Sequence, residues 1–340
     1  MSGQSSLRRQ GLPAFAGNDN KRFVFLFTII LLAGCTSKDQ APQGFIYIPG
    51  GSFIMGTDDN HAYDHERPSH KVHVDDFYIS ETEVTNTQFK KFVDATGYKT
   101  VAERKPTWDE LKQSLPPGTM PIPDSVLVPG SLVFYRPLAP VSLEDYSQWW
   151  MFVDGADWQH PEGPGSNLEG RWDHPVVHIA YEDALAYCKW DGSRLPTEAE
   201  WEFASRGAAQ KNPEGKLVAN TFQGAFPVYD LHEDGFDNTA PVKSYPPNEL
   251  GLYDMIGNVW EWTSDFYDIS YYKTLKEETD NPQGPSRSYD PNEPYATKRV
   301  TKGGSFLCAC DYCSNYRPSA RQGSSIDSGS SNIGFRTVKD

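Results

Sequence analysis

The sequence predicts a loop-rich α+β fold that forms a single domain over residues 44–340. Glycine (28 residues) and proline (26 residues) are abundant in the 340-residue chain, which disfavours long helices, coiled coils and repeat arrays. The chain is nevertheless 38% hydrophobic and 13% aromatic, enough to bury a substantial core. Its formal net charge of −15 repels phosphate backbones, so nucleic acid is not expected as a partner.

Residues 1–34 show, in order, the features of a secretory signal peptide. Basic residues come first, and an apolar run over 23–33 follows that is too short to span a bilayer. The run leads into Leu32-Ala-Gly-Cys35, which resembles the bacterial lipobox, in which the cysteine is lipidated and becomes the new N-terminus. An uncleaved signal anchor is the alternative interpretation.

We therefore expect residues 35–43 to form a lipidated cysteine, Cys35, followed by a polar tether, and the membrane to be a partner through this anchor. Residue 36 is Thr rather than Asp. By the inner-membrane retention rule of some bacteria, this residue indicates the outer membrane. The expected location is the bacterial cell envelope, with the domain facing the periplasm.

The first part of the domain predicts short strands and one helix. Residues 45–56 predict two strands around the turn Pro49-Gly-Gly51, and residues 72–79 alternate in polarity as one strand. Thr85 is the expected N-cap of a helix that buries Phe89 and Phe92 and ends near Gly97. Residues 104–148 are proline-rich and aperiodic, which predicts a long surface excursion.

The second part predicts two more helices and then mostly loops. Residues 182–190 suit a short helix, and Thr197 followed by Glu200 forms a capping box at the start of another. Short strands and turns follow to the C-terminus, with a second loop excursion over 268–298. The segment 302–308 predicts a strand that enters a tight loop.

Three of the five cysteines, Cys308, Cys310 and Cys313, lie within six residues. A disulfide in so short a loop restricts little chain entropy. A zinc site would need further ligands, and the sequence offers no second CxxC or HxxxH pair. Two thiolates suffice for Cu(I). The spacing alone leaves a structural disulfide, a zinc site and a redox or copper site open.

Motifs across the whole exported domain resemble the formylglycine-generating enzyme (sulfatase-modifying factor) family. Its fold, expected here, is C-type-lectin-like with little regular secondary structure. Two features are the most specific: Trp158-Gln-His-Pro-Glu-Gly-Pro164, and a cysteine pair, Cys308 and Cys313, just after a Gly-Gly-Ser motif. Motifs of the broader superfamily accompany them at 48–56, 81–86, 173–178, 194–203, 257–265, 302–306 and 332–336.

The resemblance implies an oxidase that converts the cysteine of a Cys-x-Pro-x-Arg segment in sulfatases to Cα-formylglycine, using O2 and a thiol reductant. It implies that Cys308 and Cys313 bind Cu(I) and that Ser305 is an active-site serine. Trp260, Asn332 and Arg336 match residues that line or support the substrate cleft. The expected substrates are exported sulfatases that are still unfolded, and the expected state is a monomer. Cys188 is expected to be a small buried residue.

The resemblance also implies two structural Ca2+ sites. Oxygen ligands from loops suit this hard cation. One site would use the ligands Asn220, Thr221, Asp234 and Phe236, and the other Asp254, Gly257, Val259 and Glu261. Asp254 stands where the family usually has Asn. Solvated acidic loops are the alternative.

A second function is a non-catalytic envelope lipoprotein of a secretion or gliding machine that uses the same fold for binding. Such proteins generally lack the cysteine pair that this chain keeps. A third, an iron-dependent sulfoxide synthase, needs a His-rich helical partner domain, which is not apparent in the sequence. The cysteine pair therefore favours the oxidase.

Overall fold

The computed structural model describes residues 41–340, so the predicted signal peptide and Cys35 lie outside the described residues. The helices are α1 (Asn86–Thr96), α2 (Trp108–Leu111), α3 (Tyr181–Asp191) and α4 (Glu198–Ala204). The strands are β1 (Phe45–Ile48), β2 (Gly51–Met55), β3 (His70–Val74), β4 (Phe77–Ser80), β5 (Gly130–Phe134), β6 (Trp150–Asp154), β7 (Gly224–Ala225), β8 (Tyr229–Asp230), β9 (Trp260–Phe266), β10 (Glu278–Asp280), β11 (Lys298–Lys302), β12 (Gln322–Ser325), β13 (Ile333–Gly334) and β14 (Val338–Lys339). Within this part of the chain, no helix combines the length and the apolar character needed to cross a membrane.

The strands form several small sheets. The largest has the order β12-β11-β9-β13, and two three-stranded sheets have the orders β1-β4-β14 and β10-β3-β2. The pairs β5-β6 and β7-β8 stand by themselves. Short strands in small sheets joined by long loops confirm the predicted loop-rich α+β fold.

The two strands predicted around Pro49-Gly-Gly51 are present as β1 and β2, but they do not pair with each other. β1 pairs with β4 and β2 pairs with β3, in one unbroken antiparallel register that bends where both chains leave the first sheet. A Cβ on Gly50 would lie 2.6 Å from the carbonyl oxygen of Val74, so this bend needs glycine. The single strand predicted over 72–79 is therefore two strands that belong to different sheets.

The three predicted helices are confirmed. In α1 the Thr85 hydroxyl accepts a hydrogen bond from the backbone N–H of Gln88 (3.3 Å), and Gly97 ends the helix with φ 67°. The apolar face of α1 buries Phe89 and Phe92. In α4 the backbone N–H of Glu200 donates to Thr197 (3.1 Å), as the capping box predicts.

The two predicted loop excursions carry more structure than expected. Residues 130–134 of the first form β5, which pairs with β6. Residues 278–280 of the second form β10, which runs parallel to β3. Both strands are stabilised by pairing with a partner strand that lies elsewhere in the chain. The local sequence pattern of each strand therefore did not predict it.

Three buried clusters of hydrophobic side chains form the core, and two of them enclose the segment after β11. Cys308 packs in the cluster of Trp260 and Trp262. Phe306 and Leu307 pack in the cluster of Trp149. A loop anchored on both sides in this way is held rigidly, although it has no secondary structure of its own.

Candidate active site

Two glycines with a left-handed backbone conformation form the turn that follows β11. Gly303 has φ 95° and Gly304 has φ 73°, a conformation that other residues rarely adopt. A Cβ on Gly304 would lie 3.0 Å from the backbone of Asn315. The turn therefore brings residues 305–308 directly against the segment that follows Cys313.

This turn places Cys308 and Cys313, the pair that the sequence singled out, face to face. Their Sγ atoms are 2.7 Å apart, and both are free thiols. Cys308 is buried, Cys313 is partly exposed, and Cys310 of the same loop is exposed. Cys188 is a buried member of the core, as expected. The structure thus separates a facing pair from the other cysteines it describes.

The two thiols differ in acidity. Burial raises the pKa of Cys308 well above its usual value. The hydrogen bond from Cys308 lowers the pKa of Cys313, and the side-chain amide of Asn315 also donates to its Sγ at 3.2 Å. Negative charge is therefore stabilised on Cys313, the sulfur that solvent can reach.

Ser305 is fully buried, and Asn332 holds its side chain. The amide Nδ2 of Asn332 donates to Ser305 Oγ at 3.0 Å, and the hydroxyl of Ser330 donates to Asn332 Oδ1 at 2.7 Å. The backbone N–H of Cys308 donates to the carbonyl of Ser305 at 2.9 Å. The structure therefore connects two of the predicted residues, Ser305 and Asn332, to the cysteine pair.

Trp260 and Arg336 support the site from within the core. Trp260 is buried, and its backbone N–H donates to the carbonyl of Asn332 at 2.8 Å. The buried guanidinium of Arg336 forms a bidentate ion pair with Glu261 (2.6 and 2.7 Å) and also donates to backbone carbonyls. Arg336 thus occupies a structural ion pair, not a surface that a substrate could contact.

A cavity of about 340 Å³ opens beside Cys313. Its walls include Tyr63, His65 and Tyr267, and the ring of His65 stacks on Tyr63 with 5.4 Å between centroids. The hydroxyl of Tyr267 and His65 Nδ1 are 3.1 Å apart, which holds the imidazole in place. Sequence reasoning missed this aromatic wall, because Tyr63 and Cys313 are far apart in the chain and neither carries a local signal for the other.

The donor set at the cysteine pair fits a soft cation with few ligands. In residues 41–340 no three His, Cys, Asp or Glu side chains converge as a metal site, which leaves the pair as a two-sulfur site. Two thiolates are acceptable to Cu(I), whereas structural Zn2+ takes four ligands.

The residues of the first predicted Ca2+ site come together. The carboxylate of Asp234 accepts hydrogen bonds from the backbone N–H groups of Thr221 (2.9 Å) and Phe236 (3.1 Å). Asn220 lies next to Thr221 and is buried. Burial raises the pKa of Asp234. A bound cation would offset this cost, although it would have to share Asp234 with N–H donors.

The second predicted Ca2+ site holds excess negative charge and an acid that sequence reasoning missed. The guanidinium of Arg336 interacts electrostatically with three carboxyl groups, those of Asp254, Glu261 and Glu83. Glu83 is fully buried, and its Oε2 has no hydrogen-bond partner among the described residues. Burial raises the pKa of Glu83, and it raises that of Asp254 to about 6. Glu261 is already paired with Arg336, and no three acidic side chains converge as a metal site among the described residues, so this Ca2+ site stays a prediction, which the unpartnered Glu83 oxygen makes testable.

Known proteins match this chain over most of its length. It is 45% identical over 303 residues to the formylglycine-generating enzyme of Mycobacterium tuberculosis, covering 86% of this chain and 96% of that protein. It is 42% identical over 319 residues to the formylglycine-generating enzyme of Bos taurus, covering 89% and 76%. It is also 37% identical over 300 residues to a Bos taurus protein named inactive C-alpha-formylglycine-generating enzyme 2, covering 86% of each.

Among solved structures, PvdO from Pseudomonas aeruginosa shares the fold. The match has a TM-score of 0.52 at 23% identity and covers 87% of this chain and 94% of that one. The family described as "Sulfatase-modifying factor enzyme 1-like domain" matches residues 34–340. With this match and the identities above, the chain belongs to the sulfatase-modifying factor (formylglycine-generating enzyme) family.

Proposed function

We propose that this protein is an oxidase that converts the cysteine of a Cys-x-Pro-x-Arg segment in sulfatases to Cα-formylglycine. The observation that carries the proposal is the facing pair Cys308 and Cys313, of which Cys313 lies at the wall of an open cleft. The names of the relatives that are 42–45% identical support it. In a balanced reaction, the substrate thiol, O2 and two reductant thiols yield the aldehyde, H2S, water and a disulfide.

Cu(I) is the proposed cofactor, held by Cys308 and Cys313, and when bound it would supply the activation of O2. The protein would supply the surroundings. Asn315 would donate to Cys313, while the core around Cys308 would keep bulk water away from the buried sulfur. Two donors, Asn332 Nδ2 and the backbone N–H of Leu307 (3.3 Å), already address Ser305 Oγ. The Ser305 hydroxyl would therefore use its own proton to position oxygen, water or the incoming thiol.

A non-catalytic envelope lipoprotein is the second candidate. Its support is the relative named as inactive, at 37% identity. The oxidase is favoured because a binding protein has no need for two reactive sulfurs that face each other beside a cleft.

The proposed partners are unfolded sulfatases, and the proposed location is the outer membrane, facing the periplasm, with Cys35 lipidated. Structural Ca2+ at the two acidic loop sites and a monomeric state complete the proposal. Replacement of Cys35 by Ala is expected to abolish incorporation of labelled fatty acid and to release the protein from membranes. Retention of the lipid label in this variant would contradict the anchor.

The test of the activity is a peptide assay with the full chain. The protein is loaded with Cu(I) and given O2, a thiol reductant and a Cys-x-Pro-x-Arg peptide, and mass spectrometry with an aldehyde probe detects the product. Conversion is expected, and Cys308→Ala and Cys313→Ala are expected to abolish it. Cys310→Ser is the matched control, because this third thiol of the loop is exposed and should be dispensable. No conversion by folded, copper-loaded protein would favour the non-catalytic candidate.

A further inference from the structure

Strand β12 (Gln322–Ser325) lies at the edge of its sheet. In the order β12-β11-β9-β13, its only neighbour among the strands of the described residues is β11. An edge strand presents backbone N–H and C=O groups along its outer side, ready to pair with another extended chain.

The hydrogen bonds of β11 identify the outward groups. The carbonyls of Lys298 and Val300 accept from the β9 side, from the backbone N–H of Tyr267 (3.0 Å) and the hydroxyl of Thr263 (2.9 Å). Alternate residues of a strand face opposite neighbours, so Arg299 and Thr301 face β12. This assignment fixes the orientation of their partners in β12.

Arg299 and Thr301 are in register with Ser324 and Gln322. The N–H and C=O groups of the other two residues, Gly323 and Ser325, therefore point away from β11. Neither residue has another backbone hydrogen bond within residues 41–340. The outer edge of β12 thus offers two open pairs of groups, two residues apart.

This open edge borders the candidate active site. Gln322 and Gly323 line the cavity that contains Cys313, and they also line a second cavity of about 470 Å³ that reaches Asn332. The second cavity is lined by Leu132, Tyr146 and Trp150 together with serine hydroxyls, and no charged side chain lines it. The two cavities share one wall, β12, so an extended chain along this edge would pass the cysteine pair.

We propose that the outer edge of β12 binds the substrate polypeptide as an added β-strand, with the backbone groups of Gly323 and Ser325 as its partners. This proposal rests on the proposed function, and it names how the same site takes its substrate. Main-chain pairing recognises any extended chain, which suits an enzyme that meets its substrates unfolded.

The spacing of the Cys-x-Pro-x-Arg segment fits this pairing. Proline has no N–H, so a strand that contains it must turn that position away from the ladder. The cysteine and the arginine share the orientation of the proline, because they lie two residues on either side of it. The two x residues are then the ones that face β12, two residues apart like Gly323 and Ser325. Their backbone, rather than their side chains, would be recognised.

N-methylated peptides test the pairing directly. Binding of a fluorescent Cys-x-Pro-x-Arg peptide to the copper-loaded full chain is measured by anisotropy, with one backbone nitrogen methylated at a time. Methylation at either x removes a donor to β12 and is expected to weaken binding about tenfold. Methylation at the arginine adds the same group on the side of the peptide that faces away from β12. It is expected to leave the Kd unchanged.

A pair of protein variants provides the complementary test. Ser325→Pro removes the outward N–H of β12 without breaking a described backbone bond, and proline is tolerated on edge strands. It is expected to weaken binding of the unmodified peptide about tenfold, because the N–H donor of Ser325 is lost while the carbonyl acceptors of β12 remain. Ser325→Ala keeps the N–H and should bind as the wild type does. Circular dichroism confirms that both variants fold.

The outcomes separate this proposal from the proposed function. Equal effects of methylation at the x positions and at the arginine would overturn the strand pairing, even if the unmodified peptide is oxidised. If methylation at x weakens binding and methylation at the arginine does not, but no oxidation occurs, the strand pairing would be supported. Only the proposed oxidase activity would then be contradicted. Absence of any peptide binding would overturn both.

Discussion

At the scale of single residues, the site depends on two sulfurs in unequal surroundings. Burial in the core raises the pKa of Cys308, whereas hydrogen bonds from Cys308 and Asn315 lower the pKa of Cys313 at the cleft. Sequence spacing identified this pair but could not tell which sulfur carries the charge. That difference comes from burial, which the fold creates by packing Cys308 against Trp260 and Trp262.

Ser305→Ala tests the hydroxyl that accepts a hydrogen bond from Asn332, in the loop that carries the cysteine pair. We expect the rate of peptide oxidation to fall about 100-fold, because a positioned polar group is lost at the reacting centre. Ser205→Ala is the control, since this serine is equally buried and also makes a hydrogen bond, to the carbonyl of Glu202 (2.8 Å). Similar turnover in the Ser305→Ala variant and the wild type would remove Ser305 from the mechanism.

Glu83→Gln tests the acidic cluster around Arg336. In the wild type, removal of Ca2+ with EGTA is expected to lower the Tm by about 5 °C, because the cation binds only the folded state. The variant should show a smaller shift, because Glu83 would no longer bind the cation while the proposed site at Asp234 is unchanged. Glu249→Gln is the control, because this glutamate is exposed.

An EGTA shift of the same size in Glu83→Gln and in the wild type would exclude a cation beside Glu83. Calorimetric titration of the chelated proteins with Ca2+ gives a second measurement. We expect one fewer binding event in Glu83→Gln than in the wild type.

At the scale of elements, helices were easier to predict than strand partners. Thr85, Thr197 and Gly97 act within one turn of the helices they cap, so local sequence was sufficient. The pairing of β1 with β4 and of β10 with β3 involves residues far apart in the chain, and no local pattern encodes it. β5 was missed because it lies in a proline-rich segment without a local strand pattern.

Gly304→Ala tests the turn that leads from β11 into the site. The substituted residue would keep a left-handed backbone at a cost of about 1 kcal/mol and would also contact the backbone of Asn315. We expect lower stability and loss of peptide oxidation. Gly97→Ala is matched, because it has the same left-handed strain at the end of α1 but nothing within 4 Å of the new Cβ.

The Gly97→Ala variant should lose about 1 kcal/mol of unfolding free energy and retain full activity. Denaturant unfolding and the peptide assay measure the two quantities separately. Equal activity of the two variants would show that the turn geometry at Gly304 does not matter for the site.

At the scale of the whole molecule, buried ion pairs join elements that the chain keeps apart. Arg321, just before β12, forms a bidentate pair with Glu198 of α4 (2.7 and 2.9 Å). Lys302, the last residue of β11, pairs with Glu202 of the same helix (2.7 Å). These contacts hold α4 against the four-stranded sheet, so removal of one partner should cost several kcal/mol by leaving a buried charge alone.

Stability is expected to depend on pH through Asp265 of β9. Burial raises the pKa of Asp265 to about 7, with Glu198 adding to the effect. A folded-state pKa above the unfolded value means that the folded protein binds the extra proton. The contribution of Asp265 to the free energy of unfolding is therefore fully present below the pKa of this residue in the unfolded chain. It is lost as the pH rises through about 7.

Asp265→Asn should remove this part of the pH dependence. Between pH 5.5 and 7.5 the unfolding free energy of the variant is expected to decline by about 2 kcal/mol less than that of the wild type. Urea unfolding at the two pH values measures the difference. Parallel pH dependence in both proteins would show that Asp265 does not titrate in this range.

The sequence by itself determined the fold class, the capped helices, the family and the paired cysteines, because each depends on short-range patterns or on motifs read directly. Only the tertiary structure decided that Arg336 is an internal ion pair, that Glu83 belongs to an acidic cluster and that Tyr63 walls the cleft. It also decided that the edge of β12 stays open beside Cys313. The physical reason is that burial, charge pairing and open strand edges are properties of neighbours in space, and in this loop-rich fold those neighbours are seldom neighbours in the chain.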